Sequence, residues 1–274
     1  MTTGAGPVAS PFDAAYTIEG TPVGLHGGHA ERPAAPGSAT RIKTQAVGAP
    51  AHGDIDGDGD RDALLFLAQE SAGSGTFYYV APAYRVAGGY RGGDAVLIGD
   101  RIMPRRLRVL HGLVVVDYLD RAPGEPMATP PGLALSALLV FDGEAMTLVG
   151  PLAADERVVE GMVTIGHEVR SFEPCAEPEA YWLMGSAPAH GPLLAAYREA
   201  AAGKQAYTPL LMLLAGQRSE PPTSGFGADY SAGWRTTRVI RAVPGGDCRS
   251  DQIVLTRPGR GSAVSSPLEI RGRA

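Results

Sequence analysis

The chain is poor in the residues that mark most catalytic and nucleic-acid-binding proteins. It has two cysteines in 274 residues, Cys175 and Cys248, and two lysines, Lys43 and Lys204. Two cysteines exclude a disulfide framework and leave one possible bridge, Cys175–Cys248. The shortage of lysine, with a formal net charge of −5, excludes a global nucleic-acid footprint. No stretch approaches the ~18–20 consecutive apolar residues of a membrane helix, and Pro209 to Gly216 reads as a core strand. The nucleophile elbow G-x-S-x-G, the P-loop, G-x-G-x-x-G and H-E-x-x-H are all absent, which removes the common signatures for acyl transfer, nucleotide binding and zinc proteolysis. The first seven residues carry no signal-peptide pattern, so an export signal is expected to precede residue 1.

Against this sparse background one segment is dense. From Gly53 to Leu67 the chain reads Gly-Asp-Ile-Asp-Gly-Asp-Gly-Asp-Arg-Asp-Ala-Leu-Leu-Phe-Leu, with five aspartates in nine positions. Counting Asp54 as position one, carboxylates fall at one, three, five and nine: Asp54, Asp56, Asp58 and Asp62. Gly59 stands at six, where a calcium loop turns sharply, and Asp60 at seven, where it would offer a carbonyl. Ca²⁺ takes six to eight oxygens at about 2.3–2.6 Å in a flexible geometry, which suits such a loop. An EF-hand would place a bidentate Glu at position twelve, but Leu65 stands there, within an apolar run that predicts a buried strand. Asp54, Asp56, Asp58, Asp60 and Asp62 are therefore the expected metal site, with structural Ca²⁺ as the ion. The alternative is an acidic surface turn without metal.

Glycine, proline and aspartate punctuate a chain that is otherwise almost all β. Residues 1–12 read as a flexible leader. Residues 13–151 predict an antiparallel β domain with strands near Ala15–Glu19, Thr21–Leu25, Arg41–Gln45, Ala63–Gln69, Gly75–Tyr84, Ala95–Leu97, Arg106–Leu110, Leu113–Tyr118, Leu135–Val140 and Ala145–Val149. Residues 152–246 predict a small OB-like barrel. Its strands are expected at Met162–Phe172, Ala180–Met184, Leu210–Ala215 and Trp234–Ala242, with one helix, His190–Ala202, starting near Pro192. Residues 247–274 contain two further β segments, too few to bury a core alone. They read as a tail or as the truncated start of another domain.

The acidic loop feeding a strand resembles the calcium loops of FG-GAP and VCBS repeats, although no second copy occurs to build a propeller. With Tyr16–Gly20, Ala35–Ala39, Gly73–Val80, Leu97–Ile102 and Asp120–Met127, the first unit resembles a bacterial envelope module whose relatives are often joined to inhibitors of C-type lysozyme. Gly161–Glu168, Ser171–Cys175, Tyr181–Leu183, Ala196–Arg198 and the strand into Gly216 resemble the C-terminal OB-type domain of NlpE-like envelope lipoproteins. In that family cysteine pairs accompany copper binding, and this chain has no C-x-x-C. The segment from Ile253 to Gly272 resembles the opening strands of the immunoglobulin-like domain of spore-germination proteins.

Other clusters have plainer readings. His26-Gly27-Gly28-His29 places two imidazoles in a glycine turn near Glu31 but completes no zinc set. Asp117 and Asp120 read as strand-end pairing partners, with an acid/base pair as the alternative. Arg101, Arg105, Arg106 and Arg108 read as a solvated strand face, with an anion patch as the alternative. Alternation places Tyr78 and Tyr79, and likewise Tyr181 and Trp182, on opposite faces, one inward and one outward. The function expected is that of an exported, non-enzymatic cell-envelope protein that binds or senses a protein or cell-wall component. It would be periplasmic or extracytoplasmic, attached where needed by a lipid anchor outside this chain. A hydrolase using aspartates and a structural spacer are the competing readings.

Overall fold

A computed structural model describes residues 6–70, 73, 75–185, 187–248, 254–257 and 271–273. The protein is mainly β, and the chain divides into two compact units, Met1–Glu156 and Arg157–Ala274.

The first unit contains β1 (Ala15–Ile18), β2 (Thr21–Gly24), β3 (His29–Pro33), β4 (Arg41–Gly53), β5 (Asp62–Glu70) and β6 (Thr76–Val86). It continues through β7 (Gly89–Gly92), β8 (Asp94–Asp100), β9 (Met103–Leu110), β10 (Leu113–Asp120), β11 (Leu133–Phe141) and β12 (Met146–Pro151). One sheet runs β2-β1-β8-β6-β5-β4-β3 with β7 added on β6, and a second runs β12-β11-β10-β9. Most neighbours are antiparallel, as short connections favour, but β1 lies parallel to β8.

The apolar run Ala63–Leu67 becomes the middle of β5, and it is buried throughout because both its faces are covered. Leu64 and Phe66 enter a core with Val80, Val114, Val116 and Leu139. Ala63, Leu65 and Leu67 enter another with Tyr16, Ile18, Val23 and Leu25. The same double coverage corrects the reading of the tyrosine pair on β6. Tyr79 and Tyr78 do take opposite faces, but Tyr79 is buried in the second core and Tyr78 packs against the first, so neither is an outward aromatic.

The second unit contains β13 (Arg157–Ile165), β14 (Arg170–Pro174), β15 (Tyr181–Gly185), α1 (Ala187–Ala200), β16 (Leu210–Ser219) and β17 (Ala232–Val243). The strands close into a barrel in the order β13-β14-β15-β17-β16, with α1 following β15 and preceding β16 in the chain. That five-stranded order is of the OB type, and β15 lies parallel to β17 across the closure. Trp234, Phe172, Tyr181, Leu183, Met212 and Leu214 fill the interior, and Leu193 and Tyr197 of α1 pack onto it.

Two expectations in this unit need correction. Met162–Phe172 is a hairpin rather than one strand, because the polar turn Gly166–Val169 folds β14 back on β13, closed by Gly166 N donating to Val169 O at 2.8 Å. The helix begins at Ala187, so Pro192 stands inside it. It follows the first four residues, whose amides need no intrahelical acceptor. Beyond the barrel, β18 (Val254–Arg257) and β19 (Arg271–Arg273) pair antiparallel. The remainder of the proposed immunoglobulin-like segment, 258–270, lies outside the described residues.

Candidate functional site

The acidic loop joins the end of β4 to the start of β5, and two residues fasten it from below. Ile55, an apolar residue among the loop's acids, is buried in the core under β5. Asp62 is fully buried, and each of its carboxylate oxygens accepts a backbone amide. Ile55 N donates to one at 2.8 Å and Arg85 N to the other at 2.7 Å. Asp62 is thus a clamp between the loop and the end of β6. Its own carbonyl lies 3.0 Å from His52 Nδ1.

Above this clamp the loop winds tightly. Asp54 accepts from Gly57 N at 2.7 Å and Gly59 N at 3.2 Å. Asp56 accepts from Asp58 N at 3.3 Å, and Asp58 from Asp60 N at 2.8 Å. Gly57 and Gly59 have φ of +82° and +88°, a left-handed backbone that a Cβ would strain. The turns bring Asp54, Asp56 and Asp58 together, with one carboxylate oxygen from each within 4.8 Å of the others. Asp60 and Asp62 are outside this trio. Asp60 contributes its amide to Asp58, and Asp62 is committed to the loop base.

Electrostatics within the trio is unfavourable for bare carboxylates. Burial first, and then repulsion from Asp58 and Asp54, raises the pKa of Asp56 above the usual 3.8. Asp62 is raised too, by burial first; its two backbone hydrogen bonds oppose the shift, and Asp56 and Asp58 add to it. Three converging carboxylates are a donor set that a hard divalent cation would satisfy, with backbone carbonyls and water completing six to eight oxygens. The residues present fit calcium chemically.

The other predicted clusters lie elsewhere. His26 and His29 exchange backbone hydrogen bonds at 2.8 and 3.1 Å across the Gly27-Gly28 turn, and both are exposed. Asp117 is bound by Arg108 at 3.2 Å and accepts from Ser136 Oγ at 2.7 Å. Asp120 accepts from Arg121 N at 2.7 Å. A separation of three on a strand sends these two acids to opposite faces, so they do not form one site. Arg101 pairs with Asp100 at 2.9 Å and Arg108 with Asp117 at 3.2 Å, so these two of the four arginines meet acids. In the barrel Tyr181 is buried and Trp182 is outward, its ring 5.4 Å from that of Tyr230. Cys175 and Cys248 form a disulfide within the second unit, their Cα atoms 5.0 Å apart.

Two features escaped the sequence reading. Ile55 is the loop's anchor, and its signal was visible: an apolar residue among acids. Arg32 on β3 has a buried Nε without an acceptor, and only the folded register could reveal that.

No family model matches the sequence, so the resemblances to FG-GAP and VCBS repeats and to the spore-germination domain have no such support. No curated protein matches it either. Among solved structures, the crystal structure of the Cpx pathway activator NlpE from Escherichia coli aligns with a TM-score of 0.27 and 13% identity, over 81% of this chain and 96% of that one. At that TM-score the alignment carries no argument, and the OB-type barrel stands on its own strand order.

Proposed function

We propose that the chain is an extracytoplasmic envelope protein of binding or sensing type, with calcium as a structural ion in the Asp54–Asp62 loop. The observation that carries this reading is the convergence of Asp54, Asp56 and Asp58 above a base fixed by Ile55 and Asp62. In this reading Asp54, Asp56 and Asp58 hold the ion, Asp60 offers its carbonyl, and Asp62 holds the loop in shape. Calcium neutralises the acids and stiffens the connection between β4 and β5.

The disulfide Cys175–Cys248 supports placement in an oxidising compartment. A loop tuned to the extracellular range of about 10⁻⁴–10⁻³ M would fill there and stay empty in cytosol. The OB-type barrel supplies a surface on which such folds bind oligomeric ligands, and the partner is a protein or a cell-wall component. Lipid attachment through a segment outside this chain would hold it at the membrane. Asp117 and Asp120, weighed as an acid/base pair, engage separate partners.

Calorimetry of the whole chain in millimolar calcium and in excess EDTA tests the metal. Calcium is expected to raise the melting temperature, and Asp54→Ala or Asp58→Ala to abolish the rise. Identical scans in the two buffers would remove calcium from the protein.

A further inference from the structure

The sheet of the first unit leaves a gap that its own sequence keeps open. β2 and β3 leave the Gly27-Gly28 turn as neighbours, joined by the His26–His29 bridge. Extending that register would next bond Gly24 to Glu31, and then Pro22 to Pro33. Among the described residues the two strands make no further pairing. Proline has no N–H, so Pro22 and Pro33 remove both donors at the position where the ladder would close. The strands splay apart around a cleft of about 550 Å³, within the ~300–1,000 Å³ range of small-molecule sites.

Arg32 lies in this cleft. Its face on β3 is set by Ala30, which packs into the core beneath the sheet, since residues two apart share a face. In the arrested β2–β3 register Arg32 stands opposite Val23, and in the β3–β4 ladder it pairs with Ile42. The guanidinium is therefore set among apolar neighbours. Its Nε is shielded from water and meets no acceptor, and among the described residues Arg32 has no ion-pair partner. The adjacent acid, Glu31, is held by Arg41 at 2.8 Å. A buried donor left without a partner is costly, and the residue that carries it lines the cleft.

We propose that this cleft binds a small amphiphilic carboxylate, its acid group taken by the Arg32 guanidinium and its apolar body lying along Val23 and Ile42. A fork of N–H donors matches a carboxylate better than any neutral group. The two prolines argue against an added β-strand as occupant, because each facing edge loses a donor that strand addition would use. The inference deepens the binding role proposed above and rests on it for its setting. It uses none of the acidic-loop residues, so loss of the calcium effect and loss of this binding are separate results.

Octanoate is the probe, titrated into the full chain by calorimetry and by nitrogen–proton correlation spectra. One-site saturable binding is expected in calcium and in EDTA alike, with a shift of the Arg32 Nε–H signal. Octan-1-ol should bind at least about tenfold more weakly, since it lacks the charge-assisted pair. Arg32→Met should lose octanoate binding and melt no lower than wild type, because it replaces an orphaned donor with an apolar side chain, whereas Arg32→Lys should keep part of the affinity. Absence of saturation at millimolar octanoate would overturn the proposal. Equal binding of acid and alcohol, or an Arg32 signal unmoved at saturation, would do the same.

Discussion

Asp54 and Asp62 bring the same side chain to the same loop, yet their surroundings give them opposite roles. Asp62 is buried, and its oxygens are the partners of two backbone amides, Ile55 N and Arg85 N. Removing it leaves both donors without acceptors, at a cost of about 1–3 kcal/mol each. Asp54 is partly exposed, and its loss also relieves repulsion within the trio. In EDTA, Asp62→Ala is therefore expected to lower unfolding stability by about 2–6 kcal/mol, and Asp54→Ala by less than about 1 kcal/mol. Urea denaturation reads both as shifts in midpoint at constant slope. Equal losses from the two variants would mean that Asp62 is not the clamp described.

Strands are joined in this protein by side chains at their ends, and Asp100 is the clearest case. At the end of β8 it accepts from Thr76 N at the start of β6, at 3.1 Å, and pairs with Arg101 at 2.9 Å. Arg101 N in turn donates to Thr76 O at 2.7 Å. The hydrogen bond from Arg101 is the main cause that lowers the Asp100 pKa below the usual 3.8. A carboxylate whose folded pKa is depressed adds stability that is complete above the unfolded value and is lost as pH falls through the folded one. Asp100→Asn is thus expected to lower the melting temperature by about 1–3 °C at pH 7, in keeping with a partly exposed pair. The gap between variant and wild type should close as pH drops below 3.8. A gap that persists in acid would trace the effect to packing instead. The elements themselves were unevenly legible. β5 announced itself through Ala63–Leu67, whereas β3 and β7 did not, since both are short edge strands rich in glycine, proline or charge. One tyrosine of the Tyr78–Tyr79 pair was expected outward because alternation reports which face a residue takes and says nothing about what covers that face. The trio of acids was readable from odd spacing around Gly59. The commitment of Asp62 to amides was not, because Arg85 arrives from another strand.

At the scale of the molecule, the sequence carried enough to place an OB-type barrel: several β segments, one helix and an apolar run at Leu210–Ala215. It could not supply the parallel β15–β17 contact that closes the barrel, since strand adjacency is a tertiary fact. The two stabilising devices fall in different units. The acidic loop belongs to residues 1–156, and both cysteines belong to residues 157–274. The bridge spans 73 positions, and closing a loop of that size removes chain entropy from the unfolded state worth about 4 kcal/mol. In the proposed reading calcium would act by binding the folded first unit, and so would follow mass action. If each unit unfolds around its own core, the melt should resolve into two transitions with separate controls. Calcium should raise one and leave the other unmoved. Reduction of the disulfide, or Cys175→Ser with Cys248→Ser, should lower the second and leave the calcium-sensitive one in place. Differential scanning calorimetry across the four combinations of calcium and reductant reads this directly. A single transition moved by both agents would show that the two units unfold as one cooperative body, and that a cation in the acidic loop steadies the barrel as well.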